Sequence, residues 1–249
     1  MKQEQLDEFQ NKMTLLFDLL EEDEKFKKPE NGKVDSLVFH LYSKARRLFM
    51  TCHFILKSPM VCNYLEAMPL IRILCETYLH IAYIEKNIKS ESIYNEYENL
   101  GKLNRWKMGY YLKKWGDDRL GGLHPDYERY VQEHYSRKQK PAVPDNLLKF
   151  YKLAQAVGRY DFYIEIYSVL SSYIHYDPTT LSNYGSTLNG SFVFNKMTYD
   201  EHLDKATRKH LIMIMLLLIQ SIINIFKLDE FEKKEFITLA KEWEKVKGT

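Results

Sequence analysis

The sequence predicts an all-α protein, a single domain over residues 1–249 built as one bundle of about seven or eight helices. Three observations carry that expectation. Leucine occurs 31 times and valine nine times in 249 residues, so helix formers abound while the usual strand formers are scarce. Glycine and proline together number 17, about 7 % of the chain against roughly 12 % in average usage. Apolar residues recur at three- and four-residue spacing through most of the chain, as one buried helix face requires.

The elements follow in order. From about Lys2 to Phe26, Leu6, Phe9, Met13, Leu16 and Leu20 form one stripe, ended by the acidic run Glu21 to Glu24 and a turn at Pro29-Glu30-Asn31-Gly32. A second helix covers about Asp35 to Lys57. Ser58-Pro59 reads as an N-cap with proline at the first helical position, opening a third helix that extends to about Asn87 with a kink at Pro69. A fourth helix, about Ser90 to Lys114, breaks at Trp115-Gly116-Asp117-Asp118, and about 115–144 reads as an irregular insertion. Asp145 caps a helix that Gly158 ends, and another runs from about Tyr160 to His175. The polar stretch after His175, about 176–197, is the longest expected loop. Thr198-x-x-Glu201 and Asp229-x-x-Glu232 are capping boxes for the last two helices.

Leu211 to Phe226 is sixteen nearly continuous apolar residues, short of the about 20 that a membrane span needs and interrupted by Gln220, Ser221 and Asn224. It reads as a core helix buried on all sides, so no membrane partner is expected. Cys52, Cys62 and Cys75 are an odd set without a Cys-x-x-Cys pair, which predicts buried free thiols and a cytoplasmic protein. The formal net charge of +2 exerts no global pull on nucleic acid or anionic lipid. It hides an uneven distribution, however: −4 over residues 1–30 and +5 over residues 99–140.

No phosphate loop, dinucleotide-binding fingerprint, nucleophile elbow or metal-ligand motif occurs, so no cofactor and no metal is expected. Glu76 and His80 share a helix face, which reads as structural pairing. Two helices instead hold polar residues where periodicity predicts burial. Arg72 and Glu76 lie one turn apart among Ile71, Leu74 and Leu79; Tyr167, Ser171 and His175 recur at i, i+4, i+8, with Ser168 beside them. Buried charges must find partners or line a cavity. If the two helices face each other, Arg72, Glu76, Tyr167, Ser171 and His175 form one cluster. It reads either as an acid/base and anion site or as a buried network fixing helix register. In the first reading His175, at a helix C-terminus that favours its protonated form, carries the proton. A second feature is the basic and aromatic text around Arg105, Lys107, Lys113 and Lys114. Interleaved with Trp106, Tyr110, Tyr111 and Trp115, it suits single-stranded RNA or an ordinary half-buried helix face.

The Arg72-x3-Glu76 helix, followed by Tyr167-x3-Ser171-x3-His175 and a polar loop, resembles a bacterial all-helical family of unknown function. That family is distantly similar to HEPN domains, including Abi-type phage-defence proteins. The resemblance covers about Ser36 to Asn195. It implies a stress or phage-defence protein that binds RNA or cleaves it without metal, as a homodimer. His175 would then be the general base, Arg72 the phosphorane clamp and Glu76 its orienting partner, with Tyr167, Ser171 and Ser168 holding the phosphate. HEPN ribonucleases carry Arg-x4-6-His; here no arginine lies four to seven residues before His175, where Ser168 to Ser171 stand, and the nearest upstream arginine is Arg159. A non-catalytic bundle that binds a protein partner is the alternative.

Overall fold

The computed structural model describes residues 3–28, 32–60, 62–119, 121–136, 139–173, 185–194 and 199–247. The all-α class holds. In chain order the helices are α1 (Gln3–Glu22), α2 (Glu24–Lys27), α3 (Lys33–Lys57), α4 (Tyr64–Lys86), α5 (Ile93–Asp117), α6 (Pro125–His134), α7 (Asp145–Leu148), α8 (Phe150–Ala156), α9 (Tyr160–Phe162) and α10 (Val169–Ser172). Then come α11 (Glu201–Phe226), α12 (Asp229–Phe231) and α13 (Ile237–Val246). Tyr163–Ser168 and Glu232–Phe236 are π-helical turns joining α9 to α10 and α12 to α13.

The chain divides into two compact units, a major one of Met1–Ile88 with Ala154–Thr249 and an inserted one of Lys89–Leu153. In the major unit α4 packs against both α3 and α11, while α1 lies on α11 and α3. The apolar run of α11 is the core: Leu211, Ile212, Ile214, Met215, Leu218 and Ile219 are all fully buried. Each such side chain contributes roughly 1.5–3 kcal/mol by leaving water. Helix α11 is long and apolar enough to cross a membrane, but 61 % of that stretch is buried inside the protein.

One charge lies within this core. The Arg208 side chain is 1 % exposed; its Nε donates to Asp204 at 3.0 Å, Nη1 to Asp7 of α1 at 2.6 Å, and Nη2 to the Leu56 carbonyl at the end of α3 at 2.7 Å. Tyr199 donates to the other Asp204 oxygen at 2.9 Å. Beside this network His53 and Gln10 are buried and bonded to each other at 2.7 Å. Burial, with Lys57 and Arg208 nearby, lowers the His53 pKa to about 4, so the ring is neutral.

Several boundaries depart from the sequence expectation. Ser58-Pro59 does not open α4. The Ser58 N–H closes α3 on the Ile55 carbonyl, and Asn63 reaches back to the Leu56 and Ser58 carbonyls, both at 3.1 Å, before α4 starts at Tyr64. The carbonyls orphaned at the end of α3 thus recruit the side chain that starts α4. Pro144, not Asp145, is the cap of α7. Thr198 of the expected capping box lies outside the described residues, and Asp200 caps α11 by accepting the Leu203 N–H at 3.0 Å. The stretch expected to be one long loop contains an antiparallel hairpin, β1 (Gly185–Leu188) and β2 (Ser191–Phe194), pairing Leu188 with Ser191 across Asn189-Gly190. Asn189 and Gly190 have φ of 50° and 79°, the left-handed pair that a two-residue hairpin turn needs.

In the inserted unit the expected irregular text at 115–144 includes the last turn of α5 and an ordered α6 packed on it. Glycines set that contact. A Cβ at Gly109 would lie 2.8 Å from the Tyr135 Cβ, and one at Gly116 would lie 2.4 Å from the Leu123 Cγ. Trp106 fixes the far end, donating from Nε1 to the Ser136 carbonyl at 2.7 Å.

Two outcomes are expected. Arg208→Met leaves Asp204 buried without its cation and should cost about 3–5 kcal/mol in urea unfolding, with Arg208→Lys recovering only part because it lacks the planar fork. Gly101→Ala, where the new methyl meets only ordinary contact, should gain up to about 1 kcal/mol from helix propensity. Gly109→Ala and Gly116→Ala should lose about 1–3 kcal/mol through overpacking, so the sign of the change in thermal midpoint separates the sites.

Candidate functional site

The polar residues of α4 and of the composite helix that ends in α10 do meet. Helix α4 forms because its apolar positions fill nearly the whole circumference; Arg72 and Glu76 occupy the narrow side left open, with side chains 18 % and 19 % exposed. The facing helix widens into the π turn Tyr163–Ser168, which carries Tyr167, and returns to α-geometry at Val169, in the turn that carries Ser171. The Arg72 guanidinium is held from three directions. Its Nε donates to Ser171 Oγ at 3.0 Å, its Nη2 donates to the Tyr167 hydroxyl, and the same nitrogen pairs with Glu76 Oε1 at 3.1 Å. Ser171 in turn donates to the Tyr167 carbonyl at 2.7 Å. Its hydroxyl therefore serves as acceptor for the cation and as donor to its own helix. The guanidinium carbon also lies 4.4 Å from the Tyr167 ring centroid, a cation–π contact.

Burial, reinforced by the Glu76 charge, pushes the Tyr167 phenol up to about 12, so it is a neutral donor and acceptor at physiological pH. Cys75, one residue before Glu76, is buried and its thiol is likewise pushed up by burial, which removes it as a nucleophile. His80 is pushed down to about 4 by burial, with Lys44 adding to the shift. Among the described residues no group of three or more His, Cys, Asp or Glu side chains could hold a metal ion.

Tyr167 is the inner end of a ladder. Tyr163 stacks on it with centroids 5.1 Å apart and planes 20° apart, and Tyr160 stacks on Tyr163 at 6.0 Å and 11°. Tyr160, the outer rung, is 43 % exposed. Sequence reasoning picked out Tyr167 and missed Tyr160 and Tyr163, although their spacing of three and four residues signals a shared face.

The remaining expected site residues divide. Ser168 is exposed and donates to the Tyr163 carbonyl at 3.2 Å, so its hydroxyl is spent within its own helix. His175 lies outside the described residues, as does most of the expected 176–197 loop. Arg105, Lys107, Lys113 and Lys114 are exposed along α5, Lys113 pairing with Asp117 one turn on. Beside them Tyr110, Tyr111 and Trp115 are 40 %, 63 % and 45 % exposed, with Arg119 stacked 4.0 Å over the Trp115 ring. The Arg208 network was not foreseen, yet Asp204-x3-Arg208 at the head of an apolar run is its signature.

A double-mutant cycle with Arg72→Met and Glu76→Gln tests how firmly the cluster is wired. The pair shares hydrogen-bond partners, so the two losses should fail to add by about 0.5–3 kcal/mol in urea unfolding.

No curated protein and no solved structure matches the chain. A family model does, over a span that includes α3 to β1, the Arg72 cluster and the whole inserted unit, while α1 and α11 to α13 lie outside it. Residues 35–192, more than half of the chain, match the family of unknown function DUF5677, and the protein belongs to that family.

Proposed function

We propose that this protein binds RNA at the Arg72 cluster and cleaves it without metal, as a HEPN-like factor of stress or phage defence in the bacterial cytoplasm. The observation that carries the reading is a half-buried arginine at the inner end of a tyrosine ladder whose outer ring faces solvent. A guanidinium supplies charge-assisted bonds to a phosphate, and stacked phenols offer faces on which unpaired bases lie. In the chemical step His175 takes the proton from a ribose 2′-hydroxyl. The 2′-oxygen then bonds to phosphorus as the bond to the 5′-oxygen breaks, and the leaving oxygen takes a proton from solvent, giving a 2′,3′-cyclic phosphate. Arg72 stabilises the charge on the phosphorane, held in place by Glu76, while Ser171 and Tyr167 orient the guanidinium. Arg105, Lys107, Lys113 and Lys114, with the exposed rings of α5, give the inserted unit a basic and aromatic surface of its own for single-stranded RNA. A second copy would supply a second active cluster in a homodimer.

A second reading is favoured by the protein partners of Arg72, whose Nε and Nη2 are both engaged by protein groups. Under it the cluster fixes α4 against the composite helix, and the protein is an interaction module for a protein partner.

Incubation of the purified chain with labelled single-stranded RNA and tRNA in EDTA separates the two. Cleavage by wild type is expected, with His175→Ala and Arg72→Ala each slower by about 10²-fold or more. Wild-type turnover no greater than that of the variants would remove the nuclease reading. A loss of stability in Arg72→Ala alone would then leave the structural one.

A further inference from the structure

From Leu211 to Ile219 helix α11 is apolar around its whole circumference, yet the fold does not cover all of it. Lys209, His210, Met213, Leu217 and Gln220 are only half-buried, whereas the residues between them are almost all sealed. Those five positions form one stripe, three turns long, and they line a groove of about 870 Å³. Its second wall is Phe236, at the end of the preceding π turn, with Ile237, Ala240 and Trp243 of α13; its third is the segment from Arg159 to Ile166. Walls two and three each include a π-helical turn, Glu232–Phe236 and Tyr163–Ser168, the two such turns among the described residues. A π turn widens a helix at a cost in backbone geometry and recurs where a site is built. Two flanking one cavity are an observation independent of its apolar lining.

The groove has a direction. At one end Lys209 Nζ donates to the Lys247 carbonyl at 2.9 Å; at the other Gln220 donates to the Glu232 carboxylate at 3.0 Å. The stripe between them spans eleven residues, about 16 Å of helix. Lys209 and Lys247 meet at the first end, where Lys247 holds Glu244 at 2.6 Å, and Lys241 adds a third lysine to the α13 wall, so on the α11 and α13 walls three lysines line the groove with one acid. The third wall carries Arg159 against Asp161 and Glu165. An elongated apolar trough with a basic end fits a molecule with an apolar tail and an anionic head, and its volume falls in the range of about 300–1,000 Å³ usual for small-ligand sites.

We propose that this groove is a binding site for a single-chain anionic amphiphile of the fatty-carboxylate class, its tail along Met213 and Leu217 and its carboxylate at Lys209 and Lys241. The Arg72 cluster takes no part in it.

Isothermal titration with dodecanoate, below its micelle concentration and beside a thermal melt, tests the assignment. Saturable one-to-one binding and a ligand-dependent rise in thermal midpoint are expected. Dodecyltrimethylammonium, with the same tail and the opposite head, should bind about tenfold or more weakly, equivalent to about 1.4 kcal/mol. Leu217→Trp and the milder Met213→Phe, each checked for a native melt, should weaken dodecanoate by about tenfold by filling the trough, and Lys209→Glu by a similar factor. Absence of saturable binding, equal affinity for the two heads, or full affinity in a folded groove-filling variant would each overturn the proposal. So would a concentration-dependent dimer, seen by sedimentation and abolished by Met213→Phe, because a second copy would then occupy the groove.

Discussion

The major unit is organised around a buried arginine. Arg208 sits where α1, α3 and α11 converge, and each of three nitrogens of its guanidinium is taken by a different element: Asp204 on α11, Asp7 on α1 and the Leu56 carbonyl ending α3. A cation in an apolar interior has no acceptable state without such partners, because the desolvation cost of an unpaired charge exceeds what neighbouring contacts return. Hydrophobic contact tolerates sliding and rotation of one helix past another, whereas a planar fork with three acceptors does not. The arginine therefore selects one register of α1 and α3 on an α11 surface that from Leu211 to Ile219 is uniformly apolar. Asn63 reinforces it by turning back on the same end of α3.

The second arginine shows the same chemistry put to a different use. Arg72 also bonds a carboxylate one turn along its own helix and groups on a facing helix. Its side chain retains 18 % exposure where that of Arg208 retains 1 %. It rests on an aromatic face continuous with a solvent-facing ladder rather than on aliphatic walls. A sealed, charge-balanced arginine holds helices; one at the inner end of an aromatic stack, bonded to two hydroxyls as well as a carboxylate, has the surroundings that the proposed anion site requires. That contrast in surroundings, more than residue identity, distinguishes scaffold from candidate site.

The π turns connect the two themes. The turn at Tyr163–Ser168 places Tyr167 against Arg72 while presenting Glu165 and Ile166 to the groove along α11. The composite helix thus has one side toward α4 and another, of mixed polarity, toward the groove. A regular helix through the same residues would rotate everything beyond the turn by most of a residue's angular step relative to what precedes it. The widened turn is how one short segment serves both faces.

Much of the fold was legible in the chain. Leucine abundance, scarce breakers and helical spacing determine the all-α class, and the long, nearly continuous apolar run of α11 determines that this helix is the core, since no other placement hides it from water. The pairing of Arg72 and Glu76 with Tyr167 and Ser171 was also legible, because polar residues at buried positions must satisfy one another. Asn189-Gly190 carried the hairpin signal within text that composition alone read as loop. What only the tertiary structure decided depends on distance along the chain. Asp7 and Arg208 are separated by 200 intervening residues and share no periodicity, so nothing local marks them as partners. Gly109 and Gly116 look like helix weaknesses until Tyr135 and Leu123 arrive against them. That Met213 and Leu217 stay open on α11 is invisible among their equally apolar neighbours, because which side a helix leaves uncovered is set by the helices that pack on it and not by the residues it carries.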